Sequence, residues 1–414
     1  MVLGWQTCLS LASTLLGTCI FSTTFPAHHA FLRWVRLAVT VPALVLALAS
    51  AYTPNPPQYV PEPSNHIQIF SISSFILMRI LEVCAIGFFE GSEECPRWQV
   101  VKEKKDGSKG TVETFVKLPL PTTFQGRLAY TVDNFFSMQG ESFFRGCTWD
   151  WARKEIRDFR PTNLIATRIQ AVRTTVITFI LYDATEFIFH SRKWDLKSPN
   201  PLTSLSLPEQ IFYSVTLGTF ICVATDLPLA LRRTVLWTVF PPAMFPPVFI
   251  GNPLTATSLV DMWSHRWHAI FRRSFDRLSL PVVWMTNRYQ KYMSRRMINF
   301  IRCFTVFFLS AILHVAVASC VPPKPHITRR LFEPSLILFF LVQPLGLLFE
   351  VAVVFPATEG MPERWRSVVR RTYLWVWMIW TGRWFTDAYL LHGQFDHRGM
   401  EFSPVARLMK WWDS

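Results

Sequence analysis

The chain has 414 residues, of which 50% are hydrophobic and only 17% charged, with a mean hydropathy of +0.23. A soluble domain carries about 25% charge, so this composition excludes disorder, collagen and coiled coil and calls for apolar surface facing something other than water. The formal net charge of +14 would suggest nucleic acid in a soluble protein. Here Lys and Arg gather in gaps between apolar runs of roughly 16 to 25 residues, so a polytopic membrane protein with basic cytosolic loops explains them and no nucleic-acid partner is expected.

In chain order, Met1 to Phe21 is apolar with no basic residue ahead of it, which favours a weak first span over a cleaved signal peptide. Spans follow at Leu37 to Tyr52 and Ile67 to Phe89, separated by a Pro-rich loop, Thr53 to His66, without a basic residue. Glu90 to Ala171 holds about thirteen Lys and Arg, and is the only stretch able to form a small water-exposed element. Val172 to His190 and Ile211 to Ala230 are the next spans. The apolar run Thr234 to Ile250 contains Pro241, Pro242, Pro246 and Pro247, which lack backbone donors and obstruct helical turns, so it is expected to be re-entrant or broken.

Gly251 to Arg296 carries about eight more basic residues and falls on the cytosolic side only if the Pro-rich run does not cross. Met297 to Ser319, Phe332 to Phe355 and Tyr373 to Leu391 complete an all-α, polytopic transmembrane fold of about eight spans. The chain divides into N-terminal transmembrane helices (1–90), a cytosolic basic segment (91–171) and a transmembrane core (172–414). The eight cysteines lie mostly in or beside apolar runs with no C-x-x-C pair, and read as small core hydrophobes.

Ionisable side chains inside spans are expensive and mark sites. His314 lies in a run otherwise apolar on every helical face, with Ser310 one turn before it. Its neutral imidazole can accept a proton, which makes it a candidate general base. A packing histidine bonded to a neighbouring carbonyl is the other reading. A second constellation runs from Ser258 to His268 and on to Arg272 and Arg273. On a helix His265 and His268 share a face, Trp263 and Trp267 share another, and Asp261 lies one turn before His265.

No H-E-x-x-H and no set of several His boxes accompanies this pair, so no metal is expected. An interfacial belt of tryptophans with snorkelling arginines is the bland alternative. His190 to Asp195 has the H-x-x-x-x-D spacing of glycerolipid acyltransferases, without that family's glycine-proline block. Asp183, Glu186, Asp226 and Asp387 lie within or at the ends of spans, as the acids of a proton-coupled transporter would.

Trp263 to His268, with Ser258 ahead and Arg272 after, followed by a lone His314 in the next apolar run, resembles the wax synthase-like branch of the membrane-bound O-acyltransferase superfamily. Arg145 to Trp151, an Arg-Gly-x-x-Trp-x-Trp stretch, is similar to a mark of its fungal members, the secondary-metabolite acetyltransferase type. The resemblance spans roughly Arg145 to His314.

What it implies is acyl transfer from acyl-CoA to an alcohol in a tunnel through the membrane, with residues 172–414 as the acyltransferase core. His314 would be the base and His268 the polar residue of the other motif. Trp263, Trp267 and Ser310 are then candidates for oxyanion or substrate positioning, and Arg266, Arg272 and Arg273 for coenzyme A. The fungal likeness favours acetyl-CoA as co-substrate and a hydrophobic terpenoid or meroterpenoid alcohol as acceptor, in secondary-metabolite assembly at the endoplasmic reticulum. Long-chain wax ester or sterol ester formation is the alternative within the fold, and a proton-coupled transporter the alternative outside it.

Overall fold

The computed structural model describes residues 4–52, 63–90, 97–104, 111–137, 139–142, 144, 147–149, 151–152, 156, 159, 163–198, 200–242, 253–267, 271–320, 333–392, 395 and 403–412. It is a polytopic helical membrane protein. Six of the described helical segments are long and apolar enough to cross a membrane: His29–Ser50, Ile72–Phe89, Leu164–His190, Leu207–Val239, Arg295–Ser319 and Pro334–Thr358. The expected eight also count two helices outside this set, α1 (Trp5–Ser22) and the long one at Glu363–Leu391, whose first turns carry Glu363, Arg364 and Arg366.

The N-terminal unit packs α1 against α2 (His29–Tyr52) and α3 (Pro63–Ile80), with Leu16, Ile20, Ala43, Ala47, Ile76 and Ile80 in its core. In lipid the surrounding medium is as apolar as the side chains, so close packing and polar contacts hold helices together. Small Ala43 and Ala47 allow the approach, and the Ser50 and Ser73 hydroxyls bond across it at 2.7 Å. Beyond α3 the helix loosens into a π turn, Leu81–Ile86, which seats a buried carboxylate, Glu82.

The segment between residues 90 and 164 is not helical throughout. Arg97–Lys104 (β1), Thr111–Lys117 (β2) and Cys147–Trp149 (β3) form an antiparallel sheet in the order β2-β1-β3, with Lys102 opposite Glu113 and Trp98 opposite Thr148. Helix α4 (Phe124–Phe136), capped by Thr123 accepting from the Gly126 N–H at 3.2 Å, lies between the strands in sequence.

The second helical unit begins with α5 (Leu164–His190), eight residues ahead of the expected Val172, because Asn163 caps it by accepting from the Ala166 N–H. Helix α6 (Leu207–Val239) opens on a capping box in which Glu209 accepts from the Ser206 N–H and hydroxyl. It runs past the expected end at Ala230, so residues 234–239 continue this span and do not form a separate element. Pro241 and Pro242 stop it, leaving Phe240 extended. Residues 243–250, the rest of the Pro-rich run, lie outside the described residues.

Three short helices follow: α7 (Leu259–Asp261), which continues as a π turn over Met262–Arg266, α8 (Arg272–Leu278) and α9 (Leu280–Arg288). Then come α10 (Arg295–Cys320), α11 (Pro334–Phe349) with its π turn Glu350–Val354, α12 (Glu363–Leu391) and α13 (Pro404–Trp412). Helices α6, α10, α11 and α12 share an aromatic core containing Phe220, Phe307, Phe339, Phe340 and Phe385. Gly346 of α11 lies against the Trp377 indole of α12, where any Cβ would overlap the ring.

Candidate active site

Along α10 the apolar face splits. Phe304, Phe308 and Ile312 face outward, while Phe307 and Ala311 are buried in the aromatic core, and His314 continues that inner face one turn further. The His314 ring lies 4.4 Å from the Phe340 ring and 5.9 Å from the Phe385 ring, centroid to centroid. Its Nδ1 is 2.8 Å from the Ser310 carbonyl oxygen. A carbonyl can only accept, so Nδ1 carries the hydrogen and Nε2 bears the lone pair. The bond to a neighbouring carbonyl is the one the packing reading expected, and it also fixes the tautomer that a base would need. Ser310 contributes through its backbone oxygen.

His314 opens onto a cavity of about 330 Å³ lined almost wholly by apolar side chains. Trp263 and Trp267 line the same cavity, together with Phe339, Phe340 and Phe385 and the facing surfaces of α6 and α12. The fold thus brings the tryptophan motif onto the lone histidine across 51 residues of sequence. Trp263 packs edge-on to Phe307 at 5.0 Å and to Trp267 at 6.1 Å. Its indole N–H is buried and has no hydrogen-bond partner among the described residues. A buried donor without a partner is costly unless something binds there. The arrangement offers a proton acceptor and an N–H donor inside one apolar space. His268 lies outside the described residues.

The turn that carries Trp263 is anchored by a residue the sequence reading did not single out. Glu350 is 0% exposed and accepts from the Leu259 N–H at 2.7 Å and the Val260 N–H at 2.8 Å, the open amides at the start of α7. Ser258 accepts from the Asp261 N–H at 3.0 Å and closes the same end. A carboxylate inside the apolar run Phe332 to Phe355 was the available signal. Asp261 in turn accepts from the Thr257 N–H at 3.0 Å and pairs with Arg266 at 3.3 Å. Burial alone would raise its pKa, but the Thr257 amide and the Arg266 guanidinium together hold the carboxyl below the ordinary aspartate range.

The arginines expected at coenzyme A are engaged differently from one another. Arg266 donates to Thr255 Oγ1 at 2.5 Å besides pairing with Asp261, and Arg272 donates to the Ser264 carbonyl at 3.1 Å while half its side chain stays exposed. Arg273 is committed elsewhere. It pairs with buried Glu82 at 2.5 Å and lies over the Trp151 ring at 3.2 Å. Glu82 also receives Arg79, whose other nitrogen reaches Asn134 Oδ1 of α4 at 2.6 Å.

Trp151 therefore packs against Arg273 of α8, just beyond the tryptophan motif, with Trp149 stacked on Trp151 at 4.9 Å. Arg145, Gly146 and Asp150 are outside the described residues. His265 is 58% exposed and 3.6 Å from Asp261.

Other sequence candidates serve the backbone. Asp195 accepts from the Lys197 N–H at 3.1 Å, and the His190 ring packs edge-on to Phe395. Asp183 accepts from the Val405 N–H at 2.8 Å, and Asp387 from the Leu202 N–H at 2.6 Å. Asp183 thus caps the start of α13 and Asp387 tethers the turn between α5 and α6, which is a structural use of an intramembrane carboxylate.

Residues 245–342 match the sequence model of the Membrane bound O-acyl transferase family. Comparison with curated proteins and with solved structures returns no match. The matched segment contains Trp263, Trp267 and His314, the three sequence-predicted residues that meet at the cavity. The likeness to the membrane-bound O-acyltransferase family is confined to residues 245–342, while the α6 and α12 walls of the cavity lie outside it.

Proposed function

We propose that the protein transfers an acyl group from acyl-CoA to the hydroxyl of a hydrophobic alcohol, with acetyl-CoA as donor and a terpenoid or meroterpenoid as acceptor, at the endoplasmic reticulum. The observation that carries this reading is the shared cavity of His314 and Trp263. An alcohol is a weak nucleophile, so a base must remove its proton as it attacks the thioester carbonyl. His314 Nε2 takes that proton while the alcohol oxygen bonds to the carbonyl carbon. The Trp263 N–H, and His268 beside it in sequence, hold the oxyanion as it forms. The carbon–sulfur bond then breaks, the imidazolium returns its proton to the departing sulfur, and ester and free thiol leave.

Arg266 and Arg272 are the proposed contacts for the coenzyme A phosphates, with Arg273 holding the motif in place through Glu82 and Trp151. The engagement of Asp183 and Asp387 by backbone amides favours this reading over a transporter. A 330 Å³ space is near the lower end for small-molecule sites. It suits one bulky alcohol with a two-carbon acyl group better than an alcohol with a long chain, which is the case against wax ester formation. Expression in a host lacking competing activity, fed with hydroxylated terpenoids, sterols and long-chain alcohols, tests the assignment. The expected product gains one acetyl group on a terpenoid alcohol. Exclusive use of long-chain acyl donors would overturn the donor and acceptor assigned here.

A further inference from the structure

Ser214 of α6 is 9% exposed and lines the cavity, yet its hydroxyl has no partner among the described residues. Neighbouring hydroxyls on the same helix spend themselves on their own backbone. Thr216 donates to the Phe212 carbonyl at 2.8 Å and Thr219 to the Val215 carbonyl at 2.9 Å, each four residues back. Ser214 does not, and in a span no bulk water is present to replace the bond.

One turn further along α6 is Gly218, and across the cavity's helical lining α12 contributes Gly382. A Cβ built on either would meet nothing within 4 Å among the described residues. Glycine weakens a helix interior relative to alanine. These two have no tight contact to justify them, unlike Gly346. What they do provide is width at the cavity wall, Gly218 lying one turn from the buried, unpartnered Ser214 hydroxyl.

We propose that Ser214, Gly218 and Gly382 form the acceptor subsite, a notch that takes the rigid ring system of a polycyclic alcohol. Ser214 bonds a second oxygen of that alcohol, one remote from the hydroxyl being acylated. This rests on the acyltransferase reading and sharpens its substrate class. An alkyl chain has no polar atom to offer Ser214, and a slender chain needs no widening at two glycines. An oxygenated multi-ring alcohol uses both.

The test uses the purified full-length protein with acetyl-CoA and three alcohols: epiandrosterone, whose ketone lies at the far end of four rings from its hydroxyl; androstanol, the same frame without the ketone; and slender dodecanol. Thiol release gives kcat/KM, and thermal shift reports binding without turnover. The inference expects Ser214→Ala to shrink the preference for epiandrosterone over androstanol by about 3- to 10-fold, the range for one hydrogen bond. Gly218→Leu and Gly382→Leu should lower the four-ring to dodecanol ratio by about 10-fold or more, with Gly218→Ala and Gly382→Ala giving a smaller shift in the same direction should leucine prevent folding.

Ratios unmoved in a wild type that does turn over would overturn the notch, as would variants that change acyl-donor chain preference instead. Wild type that releases no thiol, but is stabilised more by epiandrosterone than by androstanol in a Ser214-dependent way, would remove the acyltransferase reading and leave the notch standing.

Discussion

In the proposed mechanism, His314 can act as a base because of what holds it. The Ser310 carbonyl fixes the tautomer, the Phe340 and Phe385 rings pack against the imidazole, and the residue lines the cavity. Trp263 is the proposed matching donor, and its N–H is buried with no partner among the described residues. Trp263→Phe keeps most of the ring packing against Phe307 and removes only the donor. Loss of one oxyanion donor costs about 100- to 1000-fold in turnover, so kcat should fall on that scale with little change in the KM for acyl-CoA. Steady-state kinetics on purified protein check this, and an unchanged kcat would assign Trp263 to packing alone.

At the scale of elements, each of the three π turns among the described residues carries a side chain on which the site depends. Glu82 sits in Leu81–Ile86, Trp263 in Met262–Arg266 and Glu350 at the start of Glu350–Val354. A π turn frees backbone and re-aims side chains at a cost in regularity, which is why it collects at working positions. The helices themselves were legible as apolar runs of the right length, and the stop at Pro241 and Pro242 followed from proline chemistry.

The end of α6 was misjudged because Arg232 and Arg233 interrupt the apolar run while the hydrogen-bonded helix continues through them. The sheet of β1 to β3 gave no alternating pattern in a basic segment, and β3 joins β1 across 43 residues. Glu350 escaped for the same reason of distance, since its partners lie about 90 residues earlier in the chain. Close packing between elements is testable at Gly346. Gly346→Ala should destabilise the protein by about 1–3 kcal/mol, because a Cβ there would overlap the Trp377 indole, whose N–H donates to Gln343 at 3.1 Å. Gly17→Ala, with open space around it, should be neutral or slightly stabilising. Thermal unfolding in detergent compares them, and equal behaviour of the two would contradict the packing described.

Over the whole molecule, the proposed chemistry requires the donor to reach deep. His314 is 19 residues into α10, about 28 Å from its first turn at 1.5 Å per residue. If that first turn lies at the cytosolic surface, as Arg295, Arg296 and the preceding basic helices suggest, the thioester must be threaded toward the far leaflet. Single cysteines introduced near Lys104 and Lys291 should therefore both be labelled from the cytosolic side, and lumenal labelling of either would break this topology. The candidate site was legible in its parts, as a lone histidine and a tryptophan motif, because intramembrane polar residues stand out. Their meeting at one cavity was not, because it depends on how α6, α10, α11 and α12 pack.

The most direct test of the account is thiol release from acetyl-CoA by purified His314→Ala in the presence of an alcohol that the wild type accepts. General-base catalysis is worth about 100- to 10,000-fold, so turnover should fall by that factor while the variant keeps its thermal stability and its place in the membrane. Turnover near the wild-type rate in a folded His314→Ala protein would contradict the mechanism proposed for this cavity.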